Sequence, residues 1–132
     1  MLTVLSACSK EEEVTSTDTN QNTNTTPQLS EIQISLADES NELSFNWGFP
    51  NHDVVKRSFS ISNKGNKPLT ISSIDLPEGY SFTNSFSQTK LNQSASIDIS
   101  ISFSPSEVKD YKGTLKVNSD ANSGINTLSL VG

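Results

Sequence analysis

Few side chains in this chain have chemistry to offer, and they are scattered. The one histidine, His52, stands beside Asp53 in a sequence with serines throughout. A Ser–His–Asp relay is therefore available by composition, but it needs three converging side chains and a base held by hydrogen bonds. Phe49-Pro50-Asn51-His52-Asp53 reads as a loop, because Pro50 removes a ladder donor and biases Phe49 to an extended conformation, so His52 is read as a surface histidine. Asp75 with Glu78, and Asp53 with Asp38-Glu39, could present oxygens to calcium. Neither run has the alternating acidic positions and central glycine of a calcium loop. No metal site, no cofactor and no catalytic set is predicted. Trp47 and Phe49 remain as aromatic contacts for a sugar or a protein partner. Trp47 has the parity of Leu43 and Phe45, which reads as core, while Phe49 in its loop reads as exposed. Cys8 is the one thiol, which excludes an intramolecular disulfide and a cysteine-rich metal site.

The elements that must position these residues show period two. Phe59-Ser60-Ile61-Ser62 alternates, Asn63-Lys64-Gly65-Asn66 turns, and Leu69-Thr70-Ile71 alternates again. Ile97, Ile99, Ile101 and Phe103 repeat the pattern over a strand at 95–103, which Pro105 follows. Alternation puts every apolar side chain of such a segment on one face. The same signal places a first strand over 31–37 with Ile32, Ile34 and Leu36 inward, and a polar turn at Asp38–Asn41. A second strand through Leu43, Phe45 and Trp47 runs to Gly48. Val55, Arg57, Phe59 and Ile61 share a face, with Arg57 expected to reach for the rim. Ile74 and Leu76 have the opposite parity to Leu69 and Ile71, which predicts a bulge near Ser72-Ser73. Pro77-Glu78-Gly79 turns, and Tyr80 and Phe82 lie on a short strand. Residues 83–93 read as a polar crossing plugged by Phe86 and Leu91. Tyr111, Leu115 and Val117 alternate, 119–124 turns, and Leu128 and Leu130 carry the last strand. No segment has helical period. The expectation is an all-β fold, an antiparallel β-sandwich of seven to eight strands.

Polarity divides the chain. Between Ser9 and Ser30 only Val14 and Leu29 are large and apolar, too few to offset ordering entropy, which predicts a disordered N-terminal tail at 9–30. Residues 31–132 suffice for one two-layer core. Net charge is −6 over the chain. With no basic cluster to displace counterions, nucleic acid is excluded as a partner. No run of about twenty apolar residues is present to span a membrane as a helix.

Leu5-Ser6-Ala7-Cys8 resembles the bacterial lipobox, whose cysteine thiol accepts acyl chains after cleavage between small residues. Two or more chains anchor a protein stably, since each buried methylene contributes about 0.8 kcal/mol and one chain is marginal. The apolar run before Cys8 is short and lacks a basic start, so residues 1–8 read as the remnant of a lipoprotein signal. Ser9-Lys10-Glu11-Glu12-Glu13 resembles the acidic export signal that follows the acylated cysteine in surface lipoproteins of the Bacteroidetes. The expected address is the cell outer membrane, surface-exposed or periplasmic, with 9–30 as the tether.

Leu43-Ser44-Phe45-Asn46-Trp47-Gly48, Phe59 to Ile71 with its Asn63-Lys64-Gly65-Asn66-Lys67-Pro68-Leu69 turn, Phe103-Ser104-Pro105 and Tyr111-Lys112-Gly113-Thr114-Leu115 together resemble the Hydin-type (abnormal-spindle, Hydin) immunoglobulin-like module. Its bacterial version is called choice-of-anchor D. The resemblance implies a non-catalytic sandwich that binds or spaces, and hence a lipid-anchored envelope module with a protein or glycan partner. The alternatives are a glycan-binding accessory or enzyme of an extracellular polysaccharide system, resting on the carboxylates and on Trp47 and Phe49, or an intracellular scaffold if translation starts at Met1.

Overall fold

The computed structural model describes residues 26–46, 50 and 54–132. Cys8, the Ser9–Glu13 run, Trp47, Phe49, His52 and Asp53 lie outside the described residues. Two strands carry the first sheet, β3 (Val55–Asn63) and β7 (Ser96–Phe103), paired antiparallel without interruption from Val55↔Phe103 to Ser62↔Ser96. That register sets Phe59 opposite Ile99 and Ile61 opposite Ile97, so matched parity stacks the apolar side chains on one face. β1 (Glu31–Ser35) pairs antiparallel with β3 on its other side, and β5 (Tyr80–Phe82) pairs with β7. β9 (Ser123–Ile125) completes the order β5-β7-β3-β1-β9. The second sheet has the order β2-β10-β8-β4-β6, with β2 (Glu42–Ser44), β4 (Leu69–Asp75), β6 (Thr89–Leu91), β8 (Lys112–Ser119) and β10 (Thr127–Val131).

Phe59, Ile61, Ile101 and Phe103 from the first sheet join Phe45, Leu69, Ile71, Leu115, Val117 and Leu130 in a shared buried core. The register of β4 against β8 shifts between Ile71 and Ser73, the expected bulge, and it returns Ile74 to the core. Arg57 is exposed at the rim, as its long stem allows, donating to Ser44 O at 3.3 Å and Lys56 O at 3.0 Å.

Three features differ from the sequence reading. There are ten strands rather than seven or eight, because β6 lies in the segment read as a crossing and β9 in the one read as a turn. Both have three residues, too few to display a period. Two edge pairs, β1 with β9 and β2 with β10, are parallel. The chain changes sheets at 36–41 and again on either side of β9, so these short strands reach their neighbours by crossing between layers rather than through hairpins. The first change is held by an Asp38 turn, whose carboxylate accepts from Ser40 N at 3.1 Å and Ser40 Oγ at 2.8 Å.

The third difference is Asn63. Read as the first residue of a turn, it is instead the last residue of β3 and is fully buried. Nδ2 donates to Lys67 O at 2.8 Å and Leu91 O at 3.1 Å, and Oδ1 accepts from Gly65 N at 2.9 Å and Glu31 N at 3.4 Å. One amide thus ties β3, the following turn, β6 and the start of β1. Gly65 is required beside it because a Cβ there would lie 2.1 Å from Leu29 O. Gly124 serves β9 similarly, with φ +113 and Ile32 O 1.9 Å from the Cβ position.

Candidate binding site

At one end of the sandwich, the loop after β7 and the ends of β2 and β10 enclose a groove of about 340 Å³. Its geometry starts from the core. Phe103 contacts the rings of Phe45, Tyr80 and Tyr111 at centroid distances of 5.8, 5.0 and 5.4 Å. Period two brings Phe103 inward at the last residue of β7, so its ring closes the core and walls the groove at once. Tyr111 is held by backbone bonds to Gly132 in both directions, at 3.2 and 2.9 Å, and its carbonyl accepts from Tyr80 Oη at 2.7 Å. Its own hydroxyl accepts from Ser106 N and Glu107 N, each at 3.2 Å. The 104–110 loop is therefore pinned by a tyrosine oxygen.

These hydrogen bonds set the electrostatics. The Ser106 hydroxyl, then the two backbone donors, draws the Tyr111 phenol below its ordinary value, and burial pushes Tyr80 up to about 12. Lys109 is raised, first by Glu78 and then by Glu107, whose carboxylates lie 3.3 and 3.6 Å from Nζ, and it sits 5.0 Å above the Tyr111 ring. An exposed ion pair of this kind orders a loop more than it stabilises a fold. Val108 projects from the loop tip with 90% exposure. The groove combines apolar walls with a rim of mixed charge, which suits it to hold an apolar side chain of a partner.

Of the carboxylates singled out in the sequence, Asp38, Asp75 and Glu78 are each engaged locally. Asp38 is tied to Ser40, whose hydroxyl lowers its pKa. Asp75 accepts from Asn118 Nδ2 at 2.9 Å, and Glu78 pairs with Lys109. Among the described residues no group of three His, Cys, Asp or Glu side chains could hold a metal ion. Sequence reasoning assigned Tyr111 to the core alone and passed over Val108 and Lys109. No alternation marks 106–110, and only the bend of the loop over Tyr111 reveals them.

A smaller hollow of about 150 Å³ lies beside β7, between Asn84–Phe86 and Asp98–Ser100. Close to it in the chain, Thr83 Oγ1 is buried with no hydrogen-bond partner among the described residues. A buried hydroxyl left unpaired costs about 1–3 kcal/mol, so Thr83→Val, which keeps the shape, should raise stability by about 1 kcal/mol. Denaturant titration checks this, and a loss of stability would show that the hydroxyl has a partner in solution.

The family model for the HYDIN/CFA65/VesB-like Ig-like domain matches residues 48–132. Among curated proteins no sequence matches. The fold is similar to the ASH / PapD-like domain of human CEP192 (PapD-like domain 7), with a TM-score of 0.60 and 13% identity over 87% of this chain and 92% of that one. It is also similar to a protein of unknown function from Porphyromonas gingivalis W83, with a TM-score of 0.57 and 13% identity over 79% of this chain. This chain spans 46% of the length of that protein. At such identities the likeness is one of fold. The matched residues begin after β2 and take in every later strand, and the chain belongs to the HYDIN/CFA65/VesB-like family of Ig-like domains.

Proposed function

We propose that this chain is a non-catalytic, lipid-anchored cell-envelope module whose Ig-like domain binds a protein partner. The observation that carries the binding reading is the end groove. Phe103, Pro105, Tyr111 and Val131 give it apolar walls, while Tyr111 Oη, Lys109 and Glu107 are occupied in shaping the loop. Such a site is suited to grip a side chain of a partner. The anchor is supported by Leu5-Ser6-Ala7-Cys8 and the acidic residues after it, which fit acylation of Cys8 and export to the outer membrane. The polar residues 9–26 would act as a tether of roughly 23 Å as a coil and about 60 Å fully extended, enough to lift the domain from a lipid surface, ahead of 27–30, which are held to the domain through Leu29 N to Asn66 Oδ1 and Ser30 N to Asn122 Oδ1.

The test is Cys8→Ser in the gene expressed in its own host. The variant should leave the membrane fraction and lose incorporation of a labelled fatty acid. A serine variant that stays with the membrane and labels as before would end the anchor proposal.

A further inference from the structure

The inward face of β7 is buried unevenly. Ile101 and Phe103 are closed off, whereas Ile97 and Ile99, on the same face of the same strand, are half-buried. The cause is the neighbour. β5 pairs only with Ile101–Phe103, and among the described residues no strand flanks Ser96–Ser100 on that side. Backbone direction can be read from the bonds at either end. Asn63 N donates to Ala95 O across β3, while Thr83 N donates to Ser100 O and Ser104 N to Gly79 O on the β5 side. Alternation along an antiparallel ladder then turns the N–H and C=O of Ser96 and Asp98 to the open side. The other open edges among the described residues include the three-residue strands β2, β5, β6 and β9, the stretch of β4 beyond β6, where the bulge breaks the ladder, and Val55–Phe59 of β3 beyond the end of β1, which carries Lys56 and Arg57 as edge charges. Short strands and bulges are how sheets blunt their edges, and Ser96–Ser100 has neither protection.

We infer that the free edge of β7 at Ser96–Ser100 is a docking site for an extended basic segment of a partner protein, added to the first sheet as a further strand. The proposal rests on the binding reading above and names the class of partner. An added strand would pair with the free groups of Ser96 and Asp98, and its inward side chains would cover the open flanks of Ile97 and Ile99. The hollow next to Ile99, with Phe86 on its far wall, would take one apolar side chain. On the outer face the added strand meets Asp98, whose carboxylate accepts from the Ser60 hydroxyl and which is the one charged residue of β7. A lysine or arginine opposite it is favoured, and the net charge of −6 favours it further. The same charges argue against a second copy. Antiparallel self-pairing through these free groups sets Asp98 opposite Asp98 or one pair away, and like charges there repel.

The experiment is an amide NMR titration of the intact domain with a short blocked peptide alternating valine and lysine, its glutamate twin and a scrambled version. The expected result is shifts confined to Ser96–Ser100 and Asn84–Phe86, from the lysine peptide alone. Asp98→Pro removes a donor that faces away from β3 and should weaken binding at least tenfold. Asp98→Lys should reverse the preference toward the glutamate peptide, and it keeps the test decisive if the proline variant does not fold. Equal binding of the lysine, glutamate and scrambled peptides, no binding at millimolar concentration, or broadening of β7 signals with protein concentration alone would overturn the edge site. Shifts mapping instead to the 105–111 loop would overturn it while leaving the binding reading intact.

Discussion

Asn63→Ala should lower stability by about 4 kcal/mol and the melting temperature by about 20 °C, the largest loss expected from a polar side chain in this fold. The amide is fully buried, and its four bonds reach Lys67 O, Leu91 O, Gly65 N and Glu31 N. Deleting it does more than remove an attraction. It strands two carbonyls and two N–H groups, Leu91 O in the buried interior and the others part-buried, and each unpaired buried group costs about 1–3 kcal/mol before any repacking. Part of that penalty will be relieved by local movement of the turn, which is why the expected value lies well below the sum. Gln93→Ala, on the exposed surface, should stay within about 0.5 kcal/mol and serves as the control. Urea titration of both variants decides the matter, and a loss under about 1 kcal/mol for Asn63→Ala would mean that the turn supports itself.

Phe103→Ala is the counterpart in the apolar core, with an expected loss of about 3–5 kcal/mol from lost burial and the cavity left behind. Phe103 is 2% exposed, packs on three other rings, and lies so close to Gly132 that a Cβ there would come within 2.5 Å of it. No neighbour has the freedom to fill the space, because Phe45, Tyr80 and Tyr111 are each fixed by other contacts. Phe103→Leu retains part of the volume and should cost about 1.5 kcal/mol. The pair separates the core from the groove. If both variants lose stability in that order while the 104–110 amide signals move only in the alanine variant, Phe103 is a wall of the groove as well as core. Equal losses would deny the cavity account.

Much of the sandwich was legible in residue order. Alternation located β1, β3, β4, β7, β8 and β10, the parity change after Ile71 announced the bulge, and the Pro77-Glu78-Gly79 turn stands where expected, with Tyr80 N donating to Pro77 O at 3.3 Å. These are local properties, since side-chain parity follows from the pleat of a single strand. Burial of Asn63 was not legible, because a turn asparagine looks the same whether solvent or four backbone groups surround it. The groove was equally hidden, since Tyr111 has core parity and only the path of the loop above it makes its hydroxyl an anchor.

From its residues alone this chain determined that it would form two apolar-faced layers of extended strands, and which side chains each strand would turn inward. Tertiary structure alone decided how far each strand reached along its neighbour. Ile97, Ile99, Ile101 and Phe103 have one parity, yet β5 ends at Phe82 and so covers two of them and leaves two half open. Parity is set within a strand, but burial and an unpaired edge are properties of the strand beside it, and that strand comes from a distant part of the chain.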